Sequence, residues 1–361
     1  MIELTLHDFQ QKLGAAFTTV NGAEVVADYG ESAAGYNSLR QTAAVLDFSF
    51  RSRLCLTGAD RVRFLHGQVT NDINALRPGQ GCYAALVTAK GKMQSDLNIF
   101  YLPDELLLDF EPGLAAVIAE RLEKYIVADD VQVVDVAPLY GLLTVQGPKA
   151  DALIRALDSF AEVPAQAFSF SKISYTAGDI YLMNNPRLGS SGFDLFIPTA
   201  ALREFVEKLV ASAKSIGGGP AGWHAFELAR VEAGIPRFGL DMDESNIPLE
   251  CGIEARAVSY TKGCYIGQEV LNRIHTLGHV NQDLRGLRLA SGITVSPARG
   301  DKLLHGDKAV GYITSSVFSP SLQATLALGY VRREFNQPGI TLVVRSSSGD
   351  TSATIVPLPF K

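Results

Sequence analysis

Pro112-Gly113-Leu114-Ala115-Ala116-Val117-Ile118-Ala119-Glu120-Arg121-Leu122-Glu123-Lys124-Tyr125-Ile126 carries the clearest periodicity in the chain. Leu114, Val117, Ile118, Leu122, Tyr125 and Ile126 fall on one face of a helix that Pro112 opens. Working outward, Arg53–Thr57 alternates like a strand, and Gly58-Ala59-Asp60 starts a short helix with Phe64 and Leu65. The runs Tyr83–Thr88, Asp96–Tyr101, Glu105–Phe110 and Val131–Val136 read as further strands. A second pass follows. Leu142–Val145 is a strand, Gly147-Pro148 starts a helix with Leu153, Ile154 and Leu157, and Ile180–Met183 and Phe193–Ile197 are strands. Thr199 then caps a helix bearing Leu202, Phe205, Val206, Leu209 and Val210. The order β-α-β-β-α-β occurs roughly twice, with an extra strand in the first pass. That order predicts an α+β fold with two ferredoxin-like (split βαβ) lobes.

The ends differ in texture. Leu6, Phe9, Leu13 and Phe17, with Thr5 and Asp8 as a capping box, predict a first amphipathic helix. Residues 20–50 read as a polar approach ending in an apolar stretch. A helix from Trp223 stops near Gly234-Ile235-Pro236. After Asn281, five short strands between turn signals predict a small all-β barrel. The expected domains are 1–280, holding the two lobes, and 281–361, the barrel.

Composition narrows the function classes. The 361 residues are 47% hydrophobic and 19% charged, with a net charge of −6, which suits a soluble chain and argues against a nucleic-acid coat. The basic cluster Arg51, Arg53, Arg61 and Arg63 reads as a solvated rim or a contact for an anionic tail. No apolar run is long enough for a membrane span, and the acidic start lacks a targeting pattern, so a cytoplasmic location is expected. Cys55, Cys82, Cys251 and Cys264 show no paired spacing and are expected to be reduced thiols. No metal site is read from the sequence. His275 and His279 stand four apart, but Gly278 weakens the helix that would align them. Gly79-Gln80-Gly81-Cys82-Tyr83-Ala84 precedes a strand instead of a helix, so it is rejected as a dinucleotide loop.

Lys262-Gly263-Cys264-Tyr265-Ile266-Gly267-Gln268-Glu269 concentrates a cation, a thiol, an amide and a carboxylate around two of the chain's glycines. It reads as a loop, and Lys262 lowers the pKa of Cys264 if the two side chains converge. The alternative is a tight turn with a buried cysteine.

This octet resembles the signature of the folate-binding YgfZ family, within the superfamily of the glycine-cleavage T protein, an aminomethyltransferase. The similarity runs over nearly the whole chain, through Asp47-Phe48-Ser49, Thr70-Asn71-Asp72, Gln146-Gly147-Pro148, Gly239-Leu240-Asp241 and Ala327-Leu328-Gly329-Tyr330-Val331. The resemblance implies two interlocked ferredoxin-like lobes around a central channel, plus the barrel, with tetrahydrofolate or another reduced folate as cofactor. It implies an accessory role in making or repairing iron–sulfur proteins, with indirect effects on tRNA modification. Its partners would be folate and iron–sulfur assembly factors or client proteins, with no direct nucleic-acid or membrane contact. Carried over by position, Cys264, Lys262 and Asp96 are the expected functional residues. Asp96, Arg230, Tyr265, Gly267, Gln268 and Glu269 are expected at the cofactor.

Two departures from the T-protein pattern bear on function. Cys264-Tyr265-Ile266-Gly267 stands where that enzyme has Lys-x-Phe-Ile-Gly, and aminomethyl transfer needs no thiol. Its pterin-facing carboxylates fall on Phe193 and Ile197, so folate binding is expected to be weakened or reoriented, unless a different register brings in Asp194. One cysteine cannot hold an iron–sulfur cluster alone. A folate-dependent aminomethyltransferase or related one-carbon transferase is the alternative reading, and a thiol-redox protein the second.

Overall fold

The computed structural model describes residues 3–30, 32–293, 295–347 and 349–361. The decisive helix spans Ala115–Glu123, shorter than its apolar stripe. Ile118 and Leu122 are buried, whereas Val117 is 60% exposed, so the working face is narrower than the sequence suggests. The chain forms two compact units. One holds the residues up to His66, Asp72–Tyr83 and Leu97–Ala229; the other holds Gly67–Asn71, Ala84–Asp96 and Arg230–Lys361.

The duplicated α+β pattern is present. The first sheet has the strand order Gly81–Val87, Met93–Tyr101, Leu106–Phe110, Ser52–Thr57, Gln132–Asp135. The second runs Phe170–Tyr175, Gly178–Asn184, Gly192–Pro198, Tyr140–Gln146, Ala44–Asp47, Gly219–Pro220. Removing the inserted strand Ala44–Asp47 leaves the same order in both. Each pass has an extra strand, not only the first. Phe170–Tyr175 escapes the sequence pattern because it is an edge strand whose Lys172 and Ser174 face solvent.

In the first unit, one apolar cluster includes Leu46, Phe48, Leu107, Leu142, Phe196, Trp223 and Phe226, from both sheets. A second lies between the second sheet and its helices, with Val145, Leu153, Leu195, Phe205 and Leu209. Phe193, Leu195 and Ile197 face this second cluster, while Phe196 faces the first. The alternation of a strand fixes that split.

The N-terminal expectation needs correction. The helix covers only His7–Lys12, with Leu6 at its N-cap and no side-chain cap. Ala16–Val20 and Ala23–Asp28 then form an antiparallel hairpin. Asn21 and Gly22 turn it with φ of 48° and 80°, the Asn-Gly chemistry of a tight hairpin. Segment 20–50 is thus a hairpin, a helix at Ser32–Gln41 and a strand at Ala44–Asp47.

In the second unit, six strands close into a barrel in the order Gln282–Leu289, Ala324–Arg332, Lys308–Ser319, Lys302–His305, Thr341–Ser346, Gly349–Val356. The sequence pattern yields five of these; the four-residue strand Lys302–His305 is too short to show alternation. Leu287, Leu303, Ile313, Leu342, Val344 and Ile355 fill the barrel. Among the described residues, no helix is long and apolar enough to cross a membrane.

Candidate functional site

The octet belongs to the second unit, where it wraps the short segment Gly67–Asn71. Ile266 N donates to Gly67 O at 3.1 Å, and Ser259 N to Thr70 O at 3.0 Å. The Thr70 hydroxyl donates to Ala257 O at 2.6 Å. Lys262 is buried, and its Nζ donates to the carbonyls of Val69 and Asn71, each at 2.8 Å. It also lies 4.8 Å from the Tyr265 ring centroid, a cation–π distance. The expected convergence of Lys262 on Cys264 is therefore revised. The ammonium is held by backbone carbonyls inside the loop, and Cys264 is exposed. Cys264 is thus not the buried cysteine of a tight turn.

Tyr265 is 7% exposed, and its buried hydroxyl has no hydrogen-bond partner among the described residues. Burial pushes its pKa up to about 12. Gly267 takes φ of 86° and caps the helix Gln268–Leu277. A Cβ there would lie 2.6 Å from Thr88 O, so glycine is required on two counts. Gln268 Nε2 reaches the carbonyls of Lys262 and Gly263 at 3.4 Å each. Glu269 is exposed in the first helical turn, where a carboxylate suits the helix dipole.

Asp96 is half-buried on the strand Met93–Tyr101. Its charge bears on Cys251, whose thiol is pushed up to about 12 by burial first, then by Glu250, Asp96 and Asp243 against a lowering hydrogen bond from Tyr330. Arg230 is 2% exposed and lies in a buried polar cluster. Its Nη1 meets Asp241 Oδ2 at 2.5 Å, and its Nη2 donates to the Ser315 hydroxyl at 2.9 Å. Thr314 and Ser315 also donate to Asp241 Oδ1, at 2.5 and 2.6 Å. Asp241 stands in the sequence only within the Gly239-Leu240-Asp241 stretch of the resemblance, and nothing in its spacing from Arg230 signals that the two side chains meet.

His275 Nδ1 sits 2.8 Å from Glu254 Oε1, and its ring stacks on Tyr260. His279 lies beyond the helix end, past an extended Gly278.

The basic cluster of the first unit divides: Arg63 is at an exposed rim, pairing with Asp60 and Asp129, and Arg61 is half-buried, but the other two are not on a rim. Arg51 is 8% exposed, and Arg53 is fully buried. Arg51 pairs with Asp109 and Glu111 at 2.7 Å each. Arg53 donates to the carbonyls of Ser49, Arg51, Ala137 and Tyr140, and burial draws its pKa down to about 10. Asp194 is fully buried, accepting from Arg187 Nη2 at 2.7 Å and from Asn185 Nδ2 at 2.8 Å. The carboxylate that could have replaced those missing at Phe193 and Ile197 is thus already paired. A pterin clamp of the T-protein pattern does not fit these residues in this conformation, and Arg230 is likewise engaged internally.

The fold defines a protein of the glycine-cleavage T-protein type. The description "GCVT N-terminal domain" matches residues 6–262, and "Glycine cleavage T-protein C-terminal barrel domain" matches 282–361. The chain belongs to the glycine-cleavage T-protein family. It is 28% identical to an aminomethyltransferase of Synechococcus sp. (strain RCC307), over 100% of this chain and 99% of that one. It is 27% identical to an aminomethyltransferase of Mycobacterium tuberculosis (strain H37Rv), over 92% and 89%. Its fold matches the glycine cleavage system aminomethyltransferase T from Bartonella henselae with a TM-score of 0.89 at 22% identity, over 99% and 98%. These relatives favour the one-carbon transferase reading over the iron–sulfur one.

Proposed function

We propose that this chain is a reduced-folate-binding member of the family that acts as a YgfZ-type accessory factor for iron–sulfur proteins. One observation carries the reading. Cys264 is exposed at the head of a loop whose lysine, tyrosine and glycine are fixed by packing. A presented thiol on a rigid support suits soft-metal or sulfur chemistry. Folate rests on family membership, since Asp194 and Arg230 are engaged internally.

A second reading is aminomethyl transfer. It is favoured by the relatives, which are named aminomethyltransferases and align along almost the whole chain. The deciding experiment is deletion of the gene in a host, with parallel assays of several iron–sulfur enzymes and of glycine cleavage. Loss of iron–sulfur activities, restored by the wild-type chain but not by Cys264→Ala, supports the first reading. Loss of glycine cleavage alone overturns it in favour of the second.

A further inference from the structure

The segment before the N-terminal helix, the helix itself and the hairpin of the first unit bring together three side chains that the candidate site does not use. His7 Nδ1 lies 2.9 Å from Glu24 Oε2 and 3.8 Å from Glu3 Oε1. One donor atom from each of the three falls within 4.8 Å of the others. Glu24 projects from the strand Ala23–Asp28 and is 6% exposed. Among the described residues, neither a lysine nor an arginine pairs with it; its contacts are the His7 imidazole and the Leu4 N–H, at 3.1 Å. An ionised carboxylate buried this far is costly without a cation. The His7 ring stacks on Phe17 with centroids 4.3 Å apart, which fixes the face that meets the carboxylates.

The donor set is one imidazole nitrogen and two carboxylate oxygens. That mixture suits zinc and its first-row neighbours, whereas calcium and magnesium prefer oxygen alone. With bonds of about 2.0–2.2 Å, ligand atoms around tetrahedral zinc lie roughly 3.3 Å apart. The observed 2.9 and 3.8 Å bracket that value, so small side-chain shifts would complete the geometry. The Leu4 N–H on Glu24 supplies the outer hydrogen bond that orients a ligating carboxylate.

We propose that Glu3, His7 and Glu24 form a binding site for one zinc-class divalent ion, with water as the remaining ligand, tying the N-terminal helix to the hairpin. The competing state is a protonated His7 bridging the same two carboxylates. No motif in the sequence signals the site, because Glu3 lies before the helix, His7 opens it, and Glu24 comes from the second strand of the hairpin.

The test is equilibrium dialysis of the full chain against zinc at pH 7, using a Cys264→Ser background to remove the exposed thiol as a rival ligand. One zinc per chain is expected, with affinity at least tenfold weaker in Glu3→Gln, His7→Gln and Glu24→Gln. Glu3 has a 69% exposed side chain, so Glu3→Gln keeps the fold and the test remains decisive if the Glu24 variant does not fold. Zinc should also raise the melting temperature of the parent but not of Glu3→Gln. Absence of bound zinc, or equal retention by Glu3→Gln and His7→Gln, overturns the proposal and leaves the protonated imidazole.

Discussion

Asp109 and Asp194 occupy corresponding strands of the two repeats, and one arginine joins them: Arg187 Nη2 lies 2.7 Å from an oxygen of each. Both carboxylates are fully buried, and Arg51 grips Asp109 from the other side. Burial alone would raise the Asp109 pKa, but Arg187 and then Arg51 override it and hold the carboxyl well below its usual range. Replacing Arg187 with Met should therefore leave buried Asp194 without its arginine and Asp109 with Arg51 alone. The expected cost is about 3–5 kcal/mol, the range for removing one partner of a buried pair. Urea denaturation measures it; a loss under 1 kcal/mol would mean that the carboxylates find water or Arg51 instead.

The same network sets an acid response. A carboxyl with a depressed folded pKa contributes stability that is fully present above its unfolded value, near 3.8, and is lost as pH falls through the folded value. Asp109 should thus still be ionised and stabilising at pH 4. Comparing wild type with Asp109→Asn by denaturation at pH 7 and pH 4 should show the penalty of the variant largely kept at pH 4. The penalty should then shrink as pH is taken from about 4 towards 2; a penalty that stays constant over that range would place the Asp109 pKa in the folded chain near normal.

The sequence was informative where periodicity and burial agree. The stripe Leu202, Phe205, Val206, Leu209 and Val210 is buried as its spacing implies. It was less informative where side chains act across strands. Arg53 looks like a surface arginine because its acceptors are the carbonyls of Ser49, Arg51, Ala137 and Tyr140, which have no sequence signature. Lys262 looks like a neighbour for Cys264 because the two are close in sequence. Its acceptors at Val69 and Asn71 lie far back in the chain and could not be foreseen. The octet itself was legible, but the direction of each side chain within it was not.

Thiol reactivity separates the four cysteines. Cys264 is exposed and Cys82 half-buried, while Cys55 and Cys251 are buried and burial raises both their pKa values. Iodoacetamide at pH 8 should label Cys264 first and leave Cys55 and Cys251 unmodified until the chain unfolds. Peptide mapping by mass spectrometry reads the order. Labelling of Cys251 ahead of Cys264 would contradict the packing around Tyr330.

Cys264 also separates function from folding. Removing a side chain from an exposed loop position leaves little cavity, so Cys264→Ala should melt within a few degrees of wild type. It should nevertheless fail to restore iron–sulfur enzyme activity in a deletion host. Cys264→Ser should fail as well, because a hydroxyl is a poor ligand for soft metals. A fully active Cys264→Ala chain would leave the loop as packing alone and remove the thiol from the proposed function.

The last prediction concerns what holds Cys264 in place. Lys262 supplies two hydrogen bonds to carbonyls of Gly67–Asn71, and Gly267 lets the chain turn into its helix against Thr88. Lys262→Met keeps most of the stem but leaves the Val69 and Asn71 carbonyls without that donor, at a cost of about 1–3 kcal/mol. Gly267→Ala adds a Cβ 2.6 Å from Thr88 O at a φ of 86°, so backbone must move. That substitution should cost at least about 1–2 kcal/mol, since an alanine in the left-handed region is already unfavourable before the clash. Both variants should loosen the loop while leaving the barrel intact. Hydrogen exchange tests this directly: the amide of Ile266, which donates to Gly67 O, should exchange faster in each variant, while barrel amides such as Leu287 keep their protection. Equal acceleration of both sets would mean global destabilisation. Unchanged exchange at Ile266 would show that the loop does not depend on either residue, and that Cys264 is not held on a rigid support.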